Sequence, residues 1–540
     1  MRTALLLLLA GSAFAQASPE SAKVDQIFAI YDKPDSPGCA VSVMHGGHTV
    51  YKHAYGMADL DHDLPLKTTS VFHVASISKQ FTAASILLLA EDHKLSLDDP
   101  IRKYLPEVAD FGKPITIRHL IHHISGLRDQ WSFLGLAGWR YSKDLITDDD
   151  VLAFVAGQKA LNFPTGSKYM YSNTGFTLLA QIVKRVSRKS LREFTTERIF
   201  KPLGMTSTHF RDNHAEIVKG MAYGYDREND KAPWEMSITN FDTVGATSLL
   251  TTVEDLAKWD ENFFQAWARN GMTAKMLTRG VLNNGEVLPY AFGLVVGNHR
   301  GLPTVDHGGA DAGYRAGLIR FPDEHFSVAC LCNLAGVNPS QLAYKVADIY
   351  LVDRMQPAVG ESKPGTVTLQ PDAMKSVSGL YWNPAESELR EVKVAKGKLR
   401  YVVNGVQEAD LLPLSDHRFH VTQGDLDVEI AGGQLIEARQ KEKTTFAMKP
   451  AGPKTADVLK QYAGVYRLDE LESEWTLAVD KDHLTLTRLR ARPGRMDPQI
   501  AGVFTNRGGV VEFTRGRDGQ VNGFVLNSGR IRDVHFHRLK

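Results

Sequence analysis

Cysteine, unbalanced charge and long apolar runs are all scarce in this chain. Three cysteines in 540 residues exclude a disulfide-dense scaffold as the source of stability. Cys330 and Cys332 stand two apart in an apolar run, on one face of a strand and near the upper limit for bridging, so buried free thiols are expected. No Cys/His spacing matches a zinc site and HExxH is absent, so no metal and no cofactor are expected. A net charge of +1 leaves no broad electrostatic surface for nucleic acid or an anionic membrane. The apolar run at residues 4–10 is far shorter than the roughly 20 residues that cross a bilayer, so no stable membrane anchor is expected. With Arg2 before it and Ala13-Phe14-Ala15 after it, the run reads as a cleavable secretory signal over residues 1–15, which makes the protein secreted or periplasmic.

What remains is too long for one hydrophobic core, and two to four domains are expected. Residues 38–55 alternate as two strands around a Gly46-Gly47 turn. Residues 76–89 carry apolar side chains on nearly every face and predict a buried helix. A helical, loop-rich stretch follows over residues 98–259. Strand patterns return at residues 304–306, 313–321 and 326–332, and a helix over residues 339–351 closes the region. Strands at both ends with helices between them predict one sheet assembled from distant parts, an α+β arrangement over residues 20–355.

Residues 356–371, rich in Pro, Gly and Ser/Thr, read as a linker. The tail beyond it repeats itself. Ser378-Gly379-Leu380-Tyr381 recurs as Ala463-Gly464-Val465-Tyr466, an offset of 85 that also pairs Val392 with Leu477 and Phe419 with Phe504. Two small antiparallel β-barrel domains are expected, over residues 372–450 and 455–540. Their aromatic strands fit a lipophilic cavity or a packed core equally well. An edge of either barrel could pair into a homo-oligomer.

Three motifs carry chemistry. Ser76-Ile77-Ser78-Lys79 lies where a strand hands over to the buried helix, so unsatisfied backbone N–H groups could stabilise negative charge at Ser76. Lys79, three residues on, shares the helix face with Ser76. The same residues also fit a helix cap and a solvated lysine. In Tyr171-Ser172-Asn173, the phenol serves as a base only if neighbouring cations lower its pKa from about 10. Asn173 could hold a substrate carbonyl or steady Lys79, and the triplet also fits a turn with a helix cap. His307-Gly308-Gly309 opens a glycine-spaced strand that a ligand's backbone could approach; a tight hairpin with one satisfied histidine fits too. His119, His122 and His123 lie in a helical stretch and read as structural, and Asp311 with Arg315 reads as a local ion pair.

Taken together, SISKQFTA, YSN and HGG occur in the order and spacing of the β-lactamase and penicillin-binding serine hydrolases. The chain resembles the branch that holds class C β-lactamases, D-Ala-D-Ala carboxypeptidases, esterases and D-aminopeptidases. ITIRHLIHHISGL, KPLGMTSTHF and GATSLLTTVEDLAKW extend the resemblance over roughly residues 23–352. It implies an antiparallel sheet flanked by helices, with a helical subdomain. Ser76 would be acylated with help from Lys79, Tyr171 would act as general base, and Asn173 and His307 would serve catalysis. The N–H groups of Ser76 and Ala310 would form the oxyanion hole, and Gly308 and Gly309 would line the substrate.

Many relatives carry KTG where this chain has His307-Gly308-Gly309. A histidine is only partly charged near neutral pH, so carboxylate capture by this strand should be weak. HGG and the two tail barrels are similar to the D-aminopeptidase architecture, in which a loop of the last domain reaches the site and recognises a free amino group. Residues 490–499 are the candidate loop, with Asp497 as the ammonium partner. The expected function is a secreted serine hydrolase acting on small peptide, amide or ester substrates through an acyl-enzyme, D-aminopeptidase-like or esterase-like. The alternatives are a D-Ala-D-Ala carboxypeptidase, a weak β-lactamase, and a non-catalytic ligand-binding scaffold of the same fold.

Overall fold

The computed structural model describes residues 18–141, 143–357, 367–422, 426–439, 442–506 and 509–539. The leader expected at residues 1–15 and the middle of the expected linker lie outside these residues. Near the N-terminus, α1 (Pro19–Phe28) starts where the Ser18 side chain accepts from the Ser21 N–H and Pro19 presets the first turn.

The first region of the chain, up to residue 355, is built on a six-stranded antiparallel sheet. Its strands are β1 (Cys39–His45), β2 (His48–Tyr55), β3 (Val295–His299), β4 (Leu302–Asp311), β5 (Tyr314–Phe321) and β6 (Phe326–Cys332), in the spatial order β3-β4-β5-β6-β1-β2. β1 and β6 are buried on both faces, because helices cover the sheet on each side. On one side α1 and a C-terminal helix (Pro339–Tyr350) pack Val24, Phe28 and Val346 against Val41 and Val328. On the other lie α2 (Ser78–Glu91) and α3 (Asn173–Ser187), with the helical region between them. α2 is buried nearly all round, as its apolar faces predict.

The sheet order corrects the reading of the cysteines. β1 pairs with β6, which sets Cys39 directly opposite Cys332, and the two form a disulfide across 293 residues of sequence. Only Cys330 is a buried free thiol. Facing residues on neighbouring strands stand closer than i and i+2 along one strand, and nothing local in the sequence reveals that facing.

The tail forms two closed eight-stranded barrels, the first from Gly379–Asn383 to Glu442–Lys449 and the second from Gly464–Leu468 to Ile531–Arg538. The repeat has a structural counterpart. Tyr381 donates to the Val377 carbonyl and Tyr466 to the Tyr462 carbonyl, each at 2.8 Å. Closure removes the free edges by which the barrels were expected to pair.

The second barrel docks on the region that holds the six-stranded sheet through buried polar contacts. The fully buried Arg128 donates to Glu470 at 2.5 Å and to the Asp533 carbonyl at 2.9 Å. Asn162 holds both the Arg530 carbonyl and the Arg532 N–H, and Trp475 Nε1 donates to the Leu136 carbonyl at 2.9 Å. Gly138 (φ +85°) is needed here, because a Cβ would stand 2.2 Å from the Leu489 carbonyl oxygen.

Candidate active site

Ser76 sits in a short 3-10 turn, Ala75–Ile77, between the strand Phe72–His73 and α2. Ala75 takes φ +49°, a conformation rare for a residue with a side chain and common at active sites. This sharp turn presents Ser76 half-buried at the wall of a cavity of about 1050 Å³.

Lys79 is wholly buried one turn on. Its Nζ contacts Ser76 Oγ at 3.1 Å, Asn173 Oδ1 at 2.9 Å and the Ala246 carbonyl at 2.6 Å. Burial pushes its pKa well below the ordinary lysine value, and the charge of Arg530 pushes the same way. Asn173 is itself fixed, since its N–H and Nδ2 both donate to Asp129 Oδ2, at 2.8 and 2.9 Å. A continuous chain Asp129–Asn173–Lys79–Ser76 results. The Asn173 carboxamide thus steadies Lys79 through its oxygen and spends one Nδ2 hydrogen on Asp129; the second Nδ2 hydrogen is left for a substrate carbonyl in the cavity that Asn173 lines.

Tyr171 lines the same cavity and lies 4.9 Å, measured to its ring centre, from Lys79 Nζ. Its pKa moves opposite to the expectation for a base. Burial raises the phenol above its ordinary value, while its hydrogen-bonding neighbour Ser76 and the charge of Arg530 oppose this only in part. The low dielectric that makes Lys79 easy to deprotonate makes Tyr171 hard to ionise.

β4 supplies the opposite wall. Its pairing with β3 ends at Asp306, while its pairing with β5 runs on to Asp311, so residues 307–311 have a strand partner on one side only. Gly309 must lack a side chain, because a Cβ would stand 2.3 Å from the Val74 carbonyl oxygen beside the Ala75–Ile77 turn. Gly308 and Ala310 line the cavity with it.

His307 departs from the partly charged donor expected. Its Nδ1 lies 2.6 Å from the Gly308 carbonyl, which can only accept, so Nδ1 carries the proton and Nε2 accepts from Tyr290 Oη at 3.0 Å. Burial, with help from Lys79, lowers its pKa to about 4. His307 is neutral and both its nitrogens are occupied.

Asp497 does not reach the cavity. It lies on the strand Gly494–Ile500 of the second barrel, bonded to Arg495 at 2.6 Å, and the hairpin that enters is a different one. The turn between the strands Val521–Ser528 and Ile531–Arg538 brings Gly529 and Arg530 into the wall. The Arg530 guanidinium lies 4.7 Å from the centre of the Tyr171 ring and 3.8 Å from Asp129 Oδ2.

Asp311 and Arg315 form no ion pair. Asp311 accepts from Thr247 at 2.5 Å, and Arg315 donates to the carbonyls of Ala312 and Tyr314. Burial raises Asp311 to about 8. Among the described residues His119, His122 and His123 do not converge as metal ligands. His119 caps its own helix, whereas His123 packs 4.2 Å from the Tyr171 ring and accepts from the Ser172 N–H. His123, which the sequence marks only as one of a structural histidine cluster, therefore packs at the site, and Asp129, Tyr290 and Arg530 join it with no local motif to mark them. Each of these three is a lone polar residue whose partner lies on another element.

Penicillin-binding protein 4* of Bacillus subtilis is 33% identical over 309 residues, covering 54% of this chain and 67% of that protein. The D-aminopeptidase of Brucella melitensis is 27% identical over 457 residues, covering 84% of this chain and 83% of that one. In fold, the chain is similar to the octameric penicillin-binding protein homologue of Pyrococcus abyssi, with a TM-score of 0.56 at 23% identity, over 88% of this chain and 98% of that one. It is likewise similar to the D-amino acid amidase of Ochrobactrum anthropi, with a TM-score of 0.53 at 20% identity, over 62% of this chain and all of that one. The sequence profile named Beta-lactamase matches residues 24–351, more than half of the chain, which therefore belongs to the β-lactamase family of serine hydrolases.

Proposed function

We propose that this enzyme cleaves amide or ester bonds of small D-amino-acid derivatives through an acyl-enzyme on Ser76, with Lys79 as the base. The observation that carries this is the set of contacts around Lys79 Nζ. Asn173 Oδ1 and the Ala246 carbonyl only accept. A neutral amine has two N–H donors for these two oxygens and one lone pair left, which faces the Ser76 hydroxyl.

In acylation the Ser76 proton passes to Nζ as Oγ attacks the carbonyl carbon. The N–H groups of Ser76 and Ala310 take the developing oxyanion. Tyr171, kept protonated by burial, gives its proton to the leaving nitrogen or oxygen and regains one from the Lys79 ammonium. A water then attacks the ester, and its proton follows the same relay back to Ser76. The test is covalent labelling by a fluorophosphonate, read as a mass increase on the peptide holding Ser76. Turnover of D-alanine p-nitroanilide, absent in Ser76→Ala, completes it. An unlabelled, inactive protein would leave the scaffold reading standing.

Within this class, Arg530 favours a substrate bearing a carboxylate over one bearing a free ammonium. It adds a cation at the cleft wall where β4 has only the neutral His307. A charge-assisted hydrogen bond is worth about 1.5–3 kcal/mol, or roughly 10- to 100-fold. N-acetyl-D-Ala-D-Ala should therefore be cleaved better than its C-terminal amide, and Arg530→Ala should erase the difference. Faster turnover of free-amine D-amides would instead support the aminopeptidase reading that the Brucella relative suggests. Export belongs to the same proposal; it rests on the leader-like residues 1–15 and on the Cys39–Cys332 bond, which an oxidising compartment preserves.

A further inference from the structure

Beside the catalytic cleft lies a second cavity, of about 690 Å³, at the mouth of the second barrel where it meets the catalytic region. Its apolar wall is Leu136, Trp475, Leu486 and Leu526, and its polar wall includes Arg488, Arg492 and Arg495. Among the described residues no Asp or Glu lines it, whereas Asp129, Asp226 and Asp311 line the cleft that holds Ser76.

The three arginines differ in how they are balanced. Arg495 is paired with Asp497 at 2.6 Å and with Asp482 at 3.4 Å. Among the described residues, Arg488 and Arg492 have no ion pair. The Arg488 guanidinium lies 5.5 Å from the centre of the Trp475 ring, half-buried, and burial alone lowers its pKa. Taking a cation out of water without a counter-charge costs free energy that a bound anion restores. The barrel axis is closed to a ligand, because Tyr466, Phe504, Phe513 and Phe524 fill it with mutual ring contacts. An occupant is thus held at the mouth.

The two cavities adjoin. Ser132 lines both, and of the consecutive residues Ser528 and Gly529 the first lines the barrel mouth and the second the cleft. A substrate acylating Ser76 can continue past this partition. We infer that the barrel mouth is a distal subsite for an anionic group on an apolar body, a carboxylate carried on an aliphatic or aromatic skeleton at the far end of the substrate. The inference rests on Ser76 being the acylated residue.

The test separates binding from catalysis. The full-length Ser76→Ala protein is titrated calorimetrically with 6-phenylhexanoate and with 6-phenylhexanol, which share a skeleton and differ in charge. The carboxylate should bind at least tenfold more tightly. That advantage should shrink below threefold in Arg488→Gln, survive in part in Arg488→Lys, and persist in Arg530→Gln. Arg492→Gln, at an exposed position, should reduce it without disturbing the fold, and it decides the matter if Arg488→Gln does not fold. In the active enzyme, p-nitrophenyl esters with a free distal carboxylate should show a tenfold higher kcat/KM than their methyl-capped forms, expressed in KM and lost in Arg488→Gln. Equal affinity for acid and alcohol, or an advantage abolished by Arg530→Gln and untouched at Arg488 and Arg492, overturns the subsite. Failed fluorophosphonate labelling with the calorimetric preference intact would instead refute the Ser76 reading and leave the anion site in place.

Discussion

Replacing Tyr171 by Phe distinguishes a leaving-group acid from a base for the nucleophile. The ring would keep its packing on His123 at 4.2 Å and beneath Arg530 at 4.7 Å, so the change removes little besides the O–H. On the proposed mechanism Lys79, with Asn173 and Ala246 taking two of its hydrogens, should still accept the Ser76 proton. What fails is proton delivery to the departing atom. General acid catalysis contributes about 10²–10⁴-fold where the leaving group needs a proton. N-acetyl-D-alanine p-nitroanilide, whose amine leaves protonated, should lose that much in kcat/KM. The matching p-nitrophenyl ester, whose phenolate leaves as an anion, should lose under about tenfold, because its departure needs no acid.

Stopped-flow release of the two chromophores, compared as kcat/KM, isolates acylation. The rise of activity with pH should persist in Tyr171→Phe and disappear in Lys79→Met, since the group pushed below its ordinary value is the lysine. Equal losses on ester and anilide, together with loss of the ascending limb in Tyr171→Phe, would refute this assignment and restore Tyr171 as the base.

Acid should weaken the fold through histidines buried neutral. His73 is lowered to about 3, and His122 and His307 to about 4. Below the unfolded value of about 6.5 the unfolded chain binds protons that the native state refuses, so stability is full above that pH and falls towards pH 4. Each histidine costs up to about 3 kcal/mol over that span; a thermal midpoint unchanged between pH 7 and 4.5 would contradict the burial argument. Glu470→Gln strips the counter-charge from the buried Arg128 and should cost about 3–5 kcal/mol of barrel docking. Its signature is loss of any Arg530-dependent carboxylate preference while ester turnover continues, with faster protease cleavage before the second barrel. The double variant Cys39→Ala/Cys332→Ala frees a loop of 293 residues and should lower unfolding stability by about 5 kcal/mol; an unshifted denaturant midpoint would show that the bond does not form.

The sequence by itself determined what depends on near neighbours. Helical spacing put Lys79 on the face of Ser76, and the apolar faces of residues 76–89 predicted the buried helix found at Ser78–Glu91. The 85-residue repeat announced two similar β units, down to the matching Tyr381 and Tyr466. Tertiary structure decided what depends on partners far apart in the chain. Sheet order joined Cys39 to Cys332, burial set the opposite pKa shifts of Lys79 and Tyr171, and Asn173 met Asp129 only where two helix N-termini come together. Arg530 entered the cleft, and Asp497 stayed out, because Arg128 and Asn162 fix the second barrel in one orientation. A residue type and its spacing specify a local conformation; proton affinity and reach are set by solvent exclusion and by neighbours that only the folded chain brings together.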